Sequence, residues 1–195
     1  MESFIGHFHS QANQDAFVSA CFEHKRNGTF LDIGAGDPFI ISNTAMLERD
    51  LGWHGICCDI ATHEKLRANR SAIVVEDAFN EDWGTLAKSI AIDGKIDYLS
   101  LDLEPPIITL CALINLPLAD IRFGVITIEH DAYRGFDDIR TAMRAILLSH
   151  RYTMVASNVK VTGLPFEDWW IDSDLVDLKR AEYWADEINK KSESA

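Results

Sequence analysis

Short apolar runs recur along the chain at intervals that leave room for a helix between successive runs. They are Thr29–Ala35, Gly55–Ile60, Ala72–Glu76, Asp97–Leu103, Phe123–Glu129 and Tyr152–Val159, with Trp169–Ile171 as a short seventh. The first five are apolar at nearly every position, as strands covered on both faces of a parallel sheet are. Helical spacing appears between them. Phe136, Ile139, Met143, Ile146 and Leu147 form one stripe, and Thr44–Leu51, Asp82–Ile90 and Ile107–Leu116 repeat the pattern over shorter lengths. A strand plus its helix takes about 25 residues, the length of a βαβ crossover. The pattern therefore predicts an α/β fold with a doubly wound, Rossmann-like, mostly parallel sheet. Past Asp172-Ser173-Asp174, a candidate N-cap region, Leu175, Leu178, Trp184 and Ile188 predict an amphipathic helix ending in a frayed KKSESA tail. No repeat or linker interrupts the series, so one domain is expected. It divides into a helical lid segment over 1–27, a core over 28–172, and a C-terminal helix and tail over 173–195.

Composition narrows the class of function. Of 195 residues, 47% are hydrophobic and 25% charged, as in an ordinary globular domain. The formal charge of −13 argues against a nucleic-acid partner, which needs a basic face to release counterions. Cys21, Cys57, Cys58 and Cys111 form no C-x-x-C pair. Adjacent Cys57 and Cys58 would point to opposite faces of a strand, so free thiols in a reducing compartment are expected. MESFIGHFHSQANQD lacks the basic and apolar regions of a signal peptide, and Ile107–Leu118 is too short and too interrupted to span a bilayer. The expectation is a cytoplasmic protein without a membrane partner.

The first run leads into Asp32-Ile33-Gly34-Ala35-Gly36-Asp37. Glycines there let the backbone approach a ligand, and the next strand ends in Asp59, 23 residues beyond Gly36. That is near the spacing at which a carboxylate can accept ribose hydroxyls. Other acidic groups close the remaining runs: Asp77, then Asp102 and Glu104, then Glu129 and Asp131. In an open parallel sheet these ends face the ligand. The i, i+2 spacing puts Asp102 with Glu104 and Glu129 with Asp131, while His130 would point the other way.

Several segments resemble the FkbM family of S-adenosylmethionine-dependent methyltransferases: Gly28-Thr29-Phe30-Leu31-Asp32-Ile33-Gly34-Ala35, Ser42-Asn43-Thr44, Leu47-Glu48, Gly52-Trp53-His54-Gly55-Ile56 and Asn69-Arg70. So do Ser10-Gln11 with Gln14-Asp15, Asp97-Tyr98-Leu99-Ser100-Leu101-Asp102-Leu103-Glu104, and Phe166-Glu167-Asp168-Trp169-Trp170-Ile171-Asp172. The resemblance covers most of residues 10–172. It implies a class I methyltransferase sheet of seven strands, the last antiparallel. By the same resemblance Asp32, Gly34, Ala35, Gly36 and Asn43 would line the methionine side of S-adenosylmethionine. Asp59 would take the ribose, Asp77 and Ala78 the adenine, and Asp102 the cofactor's amino group or the acceptor. Two departures from the family pattern, Asp37-Pro38-Phe39 after Gly36 and Pro105-Pro106 after Glu104, predict a reshaped turn and acceptor pocket.

The activity so implied is O-methylation of a hydroxyl on a sugar or other small molecule, a small-molecule or glycan acceptor. A base aids such a transfer, and His130, Glu104 and Asp102 are the catalytic candidates, His130 first because an imidazole titrates near neutrality. The same acidic residues with His130 suit a Mg²⁺ ion, the less favoured arrangement. His7, His9, His24, His54, His63 and His150 read as surface residues. Gln14 and Asp15 would either fold over the cofactor or open a helix. Trp169-Trp170 would wall a sugar pocket or, as the better reading for at least one of them, fill the core. Two other functions share the strand–turn–helix: an NAD(P)-dependent oxidoreductase, disfavoured because Phe39 replaces the third glycine, and a non-catalytic binding protein. A homodimer completing the acceptor cap stays open.

Overall fold

The structure is a computed structural model and describes residues 8–192, with side chains through Lys190. His7, the start of the expected lid segment and the last three residues of the tail lie outside the described residues. In chain order the elements are α1 (Gln14–Cys21), β1 (Thr29–Ile33), α2 (Ala45–Leu51), β2 (His54–Cys58), α3 (His63–Asn69), β3 (Ile73–Val75) and α4 (Trp83–Ile90). There follow β4 (Lys95–Leu101), α5 (Pro106–Asn115), β5 (Arg122–Glu129), α6 (Asp137–Ser149), β6 (Thr153–Val161), β7 (Leu164–Ile171) and α7 (Leu178–Ser192). One sheet of seven strands runs β3-β2-β1-β4-β5-β7-β6. The first five are parallel, and β7 lies antiparallel between β5 and β6. The expected doubly wound sheet is thus present.

The apolar runs work because both faces are covered. Alternate residues of each strand belong to two cores: Leu31, Cys58, Leu99, Ile126 and Trp170 pack with α4, α5 and α6. Their neighbours Phe30, Cys57, Tyr98, Val125 and Trp169 pack with α1, α2 and α7. The two adjacent cysteines therefore face apart and all four are free thiols. Trp169 and Trp170 are fully buried, one in each core, and Trp169 stacks on Phe17 at 4.4 Å between ring centroids. Neither wall of a sugar pocket is made by them.

Several boundaries differ from the sequence pattern for local reasons. β1 stops at Ile33 and β4 at Leu101, so Gly34-Ala35 and Asp102–Glu104 lie beyond the ladder. β7 extends back to Leu164; its polar Glu167 and Asp168 disguised a strand that is buried from Phe166 onward. The unforeseen α3 buries only Leu66, too little for a stripe. The C-terminal helix starts at Leu178, capped by Asp177, whose Oδ1 accepts from Arg180 N at 2.8 Å. Asp172 instead takes Asp174 N and the guanidinium of Arg122. The tail continues as helix through Ser192. Within the expected lid segment, α1 is a core helix with Phe17 and Val18 wholly buried. No helix among the described residues is long and apolar enough to cross a membrane.

Candidate active site

At the end of β1 the chain turns sharply. Gly34 N and Ala35 N both donate to Cys58 O, at 2.8 and 3.1 Å, while Asp102 N donates to Ile33 O at 2.9 Å. The turn is thereby gripped between the ends of β2 and β4. Gly34 has φ +90°, and a Cβ there would lie 1.7 Å from the carbonyl oxygen of Asp102. Gly36, at φ +59°, donates its N–H to Asp59 Oδ2 at 2.9 Å, and a Cβ there would meet nothing within 4 Å. The second glycine therefore borders open space, the room a ligand needs for close approach. Asp59 is held from its other oxygen by Ala61 N and Thr62 N, at 2.9 and 2.8 Å. Gly34, Ala35, Gly36, Asp59 and Asp102, separated in sequence, are neighbours at one sheet edge.

On the same edge, beyond β3, Asp77 accepts from Phe79 N and Asn80 Nδ2, and the carbonyl of buried Ala78 accepts from Trp83 Nε1. Asn43 Nδ2 reaches Ser100 Oγ at 3.0 Å. The Asp37-Pro38-Phe39 departure is accommodated: Asp37 Oδ1 accepts from Phe39 N and Ile40 N, each at 3.0 Å, and its other oxygen pairs with Lys65. Pro106 opens α5 at the tolerated first position.

Asp32 does not line the open space as expected. It is 1% exposed and accepts from Thr44 Oγ1 at 2.6 Å. Thr44 in turn accepts from Arg70 Nη2 at 3.0 Å, and Arg70 also reaches Glu48, Ser42 Oγ and the Pro38 carbonyl. The Arg70 side chain is fully buried. The residues that carry the family resemblance, Ser42, Thr44, Glu48 and Arg70, thus form one buried network that braces the loop after β1. Their structural role explains why a turn without a third glycine keeps its shape.

Beside the turn lies a cavity of about 380 Å³. Asp102, Glu104, Glu129 and Asp131 line it together with Val161, Leu164 and Phe166 of the β6–β7 hairpin. Burial, joined by the neighbouring carboxylate charges, raises both Asp102 and Glu129 above the usual carboxylate range, and the two carboxyls share a hydrogen bond. One proton between two carboxyls is the arrangement that such mutual repulsion favours. Arg134 bridges the mouth, its Nη1 at 2.7 Å from Glu104 and 2.8 Å from Asp131. Glu104, Glu129 and Asp131 also bring carboxylate oxygens within 4.8 Å of one another, a grouping that can take a cation.

His130 is not part of that cavity. It is fully buried, its Nδ1 accepts from Ala132 N at 3.1 Å, and its Nε2 lies 3.4 Å from Asp168. The strand alternation that aims Glu129 and Asp131 into the cavity turns His130 away, and that signal was present in the sequence. Burial pushes the Asp168 carboxyl up, but Arg144, His130 and Asn158 N outweigh it and hold it at about 2. His130 is a structural histidine of this network. His63 is no plain surface residue either, with its Nε2 3.4 Å from Glu64 and 3.6 Å from Glu76.

Gln14 and Asp15 open α1, and their side chains close a strap over residues 9–15. Asp15 is wholly buried and accepts from His9 N at 2.7 Å and Ser10 Oγ at 2.5 Å, which delivers Gln11 to the cavity wall. Behind that wall Glu167, also buried, is pushed up to about 8 by burial, against the hydrogen bonds it receives from Trp169 and Gln14. Gln11 and Phe166 lie in segments that carry the family resemblance, but no local pattern singles out either of them, or Tyr133 and Arg134, and the tertiary fold is what brings them to the cavity.

No protein-family model matches the chain, and no curated protein matches it. Among solved structures it is similar to an O-methyltransferase from Bacillus cereus, in complex with SAH, with a TM-score of 0.57 and 14% identity over 84% of this chain and 82% of that one. It is also similar to a putative O-methyltransferase from Klebsiella pneumoniae, with a TM-score of 0.55 and 16% identity over 82% and 80%. At such identities the likeness is one of fold. The seven-stranded sheet with its antiparallel β7 is the class I methyltransferase fold. A third similar structure is a protein of the NADB-Rossmann superfamily from Streptococcus agalactiae, with a TM-score of 0.56 and 11% identity over 87% and 71%.

Proposed function

We propose that the chain is an S-adenosylmethionine-dependent methyltransferase that methylates a hydroxyl of a small molecule or glycan, and that it is a relative of the FkbM family. One observation carries the reading. The Gly34–Gly36 turn is gripped by Cys58 and Asp102, holds Asp59 at Gly36 N, and opens onto space beside an acidic cavity. Asp59 would take the ribose hydroxyls, with Gly36 allowing close approach. Asp77 would face the adenine, beside the exposed Ile60 and Phe79. When bound, S-adenosylmethionine supplies an electrophilic methyl group carried on a sulfonium. The antiparallel β7 speaks against the dinucleotide oxidoreductase, whose sixth strand continues the parallel sheet.

The remaining work falls to this chain's carboxylates. The Asp102–Glu129 pair is the base: holding one proton between them, it has one ionised oxygen to accept the hydroxyl proton as oxygen attacks carbon. Glu104, at the rim, orients the acceptor, and the buried His130 holds the segment that presents Glu129 and Asp131. Arg134 already supplies the cation between Glu104 and Asp131, and no step is assigned to a metal.

The test is a calorimetric titration with S-adenosylhomocysteine, run beside NAD and NADP, on wild type and Asp59→Asn. Binding of the homocysteine compound alone, weakened in the variant, is expected. Binding of a nicotinamide cofactor instead, or of none, would overturn the proposal.

A further inference from the structure

The cavity lining is of two chemical kinds. The ends of β4 and β5 bring four carboxyls, of which Asp131 is buried and Asp102 and Glu129 half-buried. The β6–β7 hairpin brings the hydrocarbon of Val161, Leu164 and Phe166, and the half-exposed Tyr133 joins them. Among the described residues no basic side chain lines the cavity, and Arg134 only bridges its mouth. Four carboxyls thus gather around one cavity with a single guanidinium, at its mouth, to answer them. Partly desolvated carboxylates demand a partner far more than exposed ones do.

We infer that the methyl acceptor is cationic: a small ring of the amino-sugar class, carrying a protonated amine near the hydroxyl to be methylated. The inference rests on the methyltransferase reading, which makes this cavity the acceptor site. An ammonium is compact and offers three donors, so it can take the place of the Arg134 guanidinium at Glu104 and Asp131. The Arg134 side chain is 42% exposed and gives way to solvent at little cost. Phe166, Leu164 and Tyr133 then meet the C–H face of the ring. Uronic acids and phosphorylated sugars are excluded, because each brings a like charge among the carboxylates.

The test is an amide chemical-shift titration of the ¹⁵N-labelled protein with glucosamine, glucose and glucuronate, with and without S-adenosylhomocysteine. Glucosamine is expected to move the amides of residues 129–134 and to bind about tenfold tighter than glucose, the worth of one charge-assisted contact. Glucuronate should leave them unmoved. Glu104→Gln with Asp131→Asn should bring glucosamine down to glucose. Arg134→Ala, at an exposed position, should tighten glucosamine and guards against a double variant that fails to fold. Glucose or glucuronate binding as well as glucosamine overturns the inference, as does glucosamine leaving these amides unmoved. Magnesium chloride displacing glucosamine overturns it too and makes the cluster a metal site. Failure of S-adenosylhomocysteine to move the amides of Gly34–Gly36 is a separate result. It sinks the methyltransferase reading, whereas the sugar series is read at other residues.

Discussion

Gly34→Ala tests the grip on the Gly34–Gly36 turn. A methyl group at this position would sit 1.7 Å from Asp102 O and 2.5 Å from its carbonyl carbon, both backbone atoms that no side-chain rotation can move. The ends of β1 and β4 must part, and the Asp102 N to Ile33 O and Gly34 N to Cys58 O bonds stretch or break. Two buried backbone bonds contribute about 1 kcal/mol each, and forcing a Cβ into positive φ costs about 1–2 kcal/mol more. The expected loss is about 3–4 kcal/mol, a large part of the roughly 5–15 kcal/mol that holds a domain together. Gly36→Ala is the control. Its φ is also positive but its Cβ meets nothing, so only the conformational cost of about 1–2 kcal/mol applies. Urea denaturation followed by tryptophan fluorescence measures both, since Trp169 and Trp170 report on the two cores. A Gly34→Ala loss no greater than that of Gly36→Ala would refute the reasoning. The folded Gly36→Ala protein should nonetheless lose S-adenosylhomocysteine, because the methyl group fills the space beside Asp59.

Three further outcomes are expected. Arg70→Met strands Glu48 and unties Thr44, Ser42 and the Pro38 carbonyl, costing about 3–5 kcal/mol by denaturant unfolding; Arg70→Lys should recover only part, lacking the fork. Glu167 keeps its proton to about pH 8 when folded, whereas the unfolded chain releases it near the ordinary glutamate value. Stability should therefore fall as pH rises between those values, by at most roughly 1.4 kcal/mol per pH unit. Unfolding at about pH 5.5 and about pH 8 checks the sign, and Glu167→Gln should flatten the difference. His130→Gln should lower stability by about 1–2 kcal/mol through the Ala132 and Asp168 contacts yet leave methyl transfer measurable. Asp102→Asn, which removes the ionised oxygen of the pair, should abolish transfer while the fold persists; a reversed pattern would return the base to His130.

The sheet was legible because β1, β2, β4 and β5 are buried on both faces along most of their length and so read as nearly unbroken apolar runs, while the edge strand β3, exposed at Ile73, stays apolar in sequence. β7 was legible only at its end, Trp169–Ile171, since Glu167 and Asp168 are polar residues sunk in the core and satisfied by Trp169, Gln14 and Arg144, partners that no local pattern reveals. The same limit applies at the site. Gly34, Gly36 and Asp59 were recognisable because turn and acidic residue have a fixed spacing. Asp32 looked alike in one dimension but points inward to Thr44. His130 drew attention by its chemistry, although strand alternation had already turned it away. Gln11 and Phe166 come from opposite ends of the chain and could be assigned only once the sheet had brought them to one cavity.

The β6–β7 hairpin has two ends with different constraints. At its base Trp169, Trp170 and Ile171 are locked into both cores, and a change there is felt throughout the molecule. At its tip Thr162, Gly163 and Leu164 are exposed, yet Val161, Thr162 and Leu164 border the cavity. Selection can therefore rewrite the tip without disturbing the scaffold. A lineage carrying this fold would diverge first at the hairpin tip that borders the cavity, leaving the Gly34–Gly36 turn unchanged. Saturation libraries confined to 161–164 are the most economical route to a new specificity.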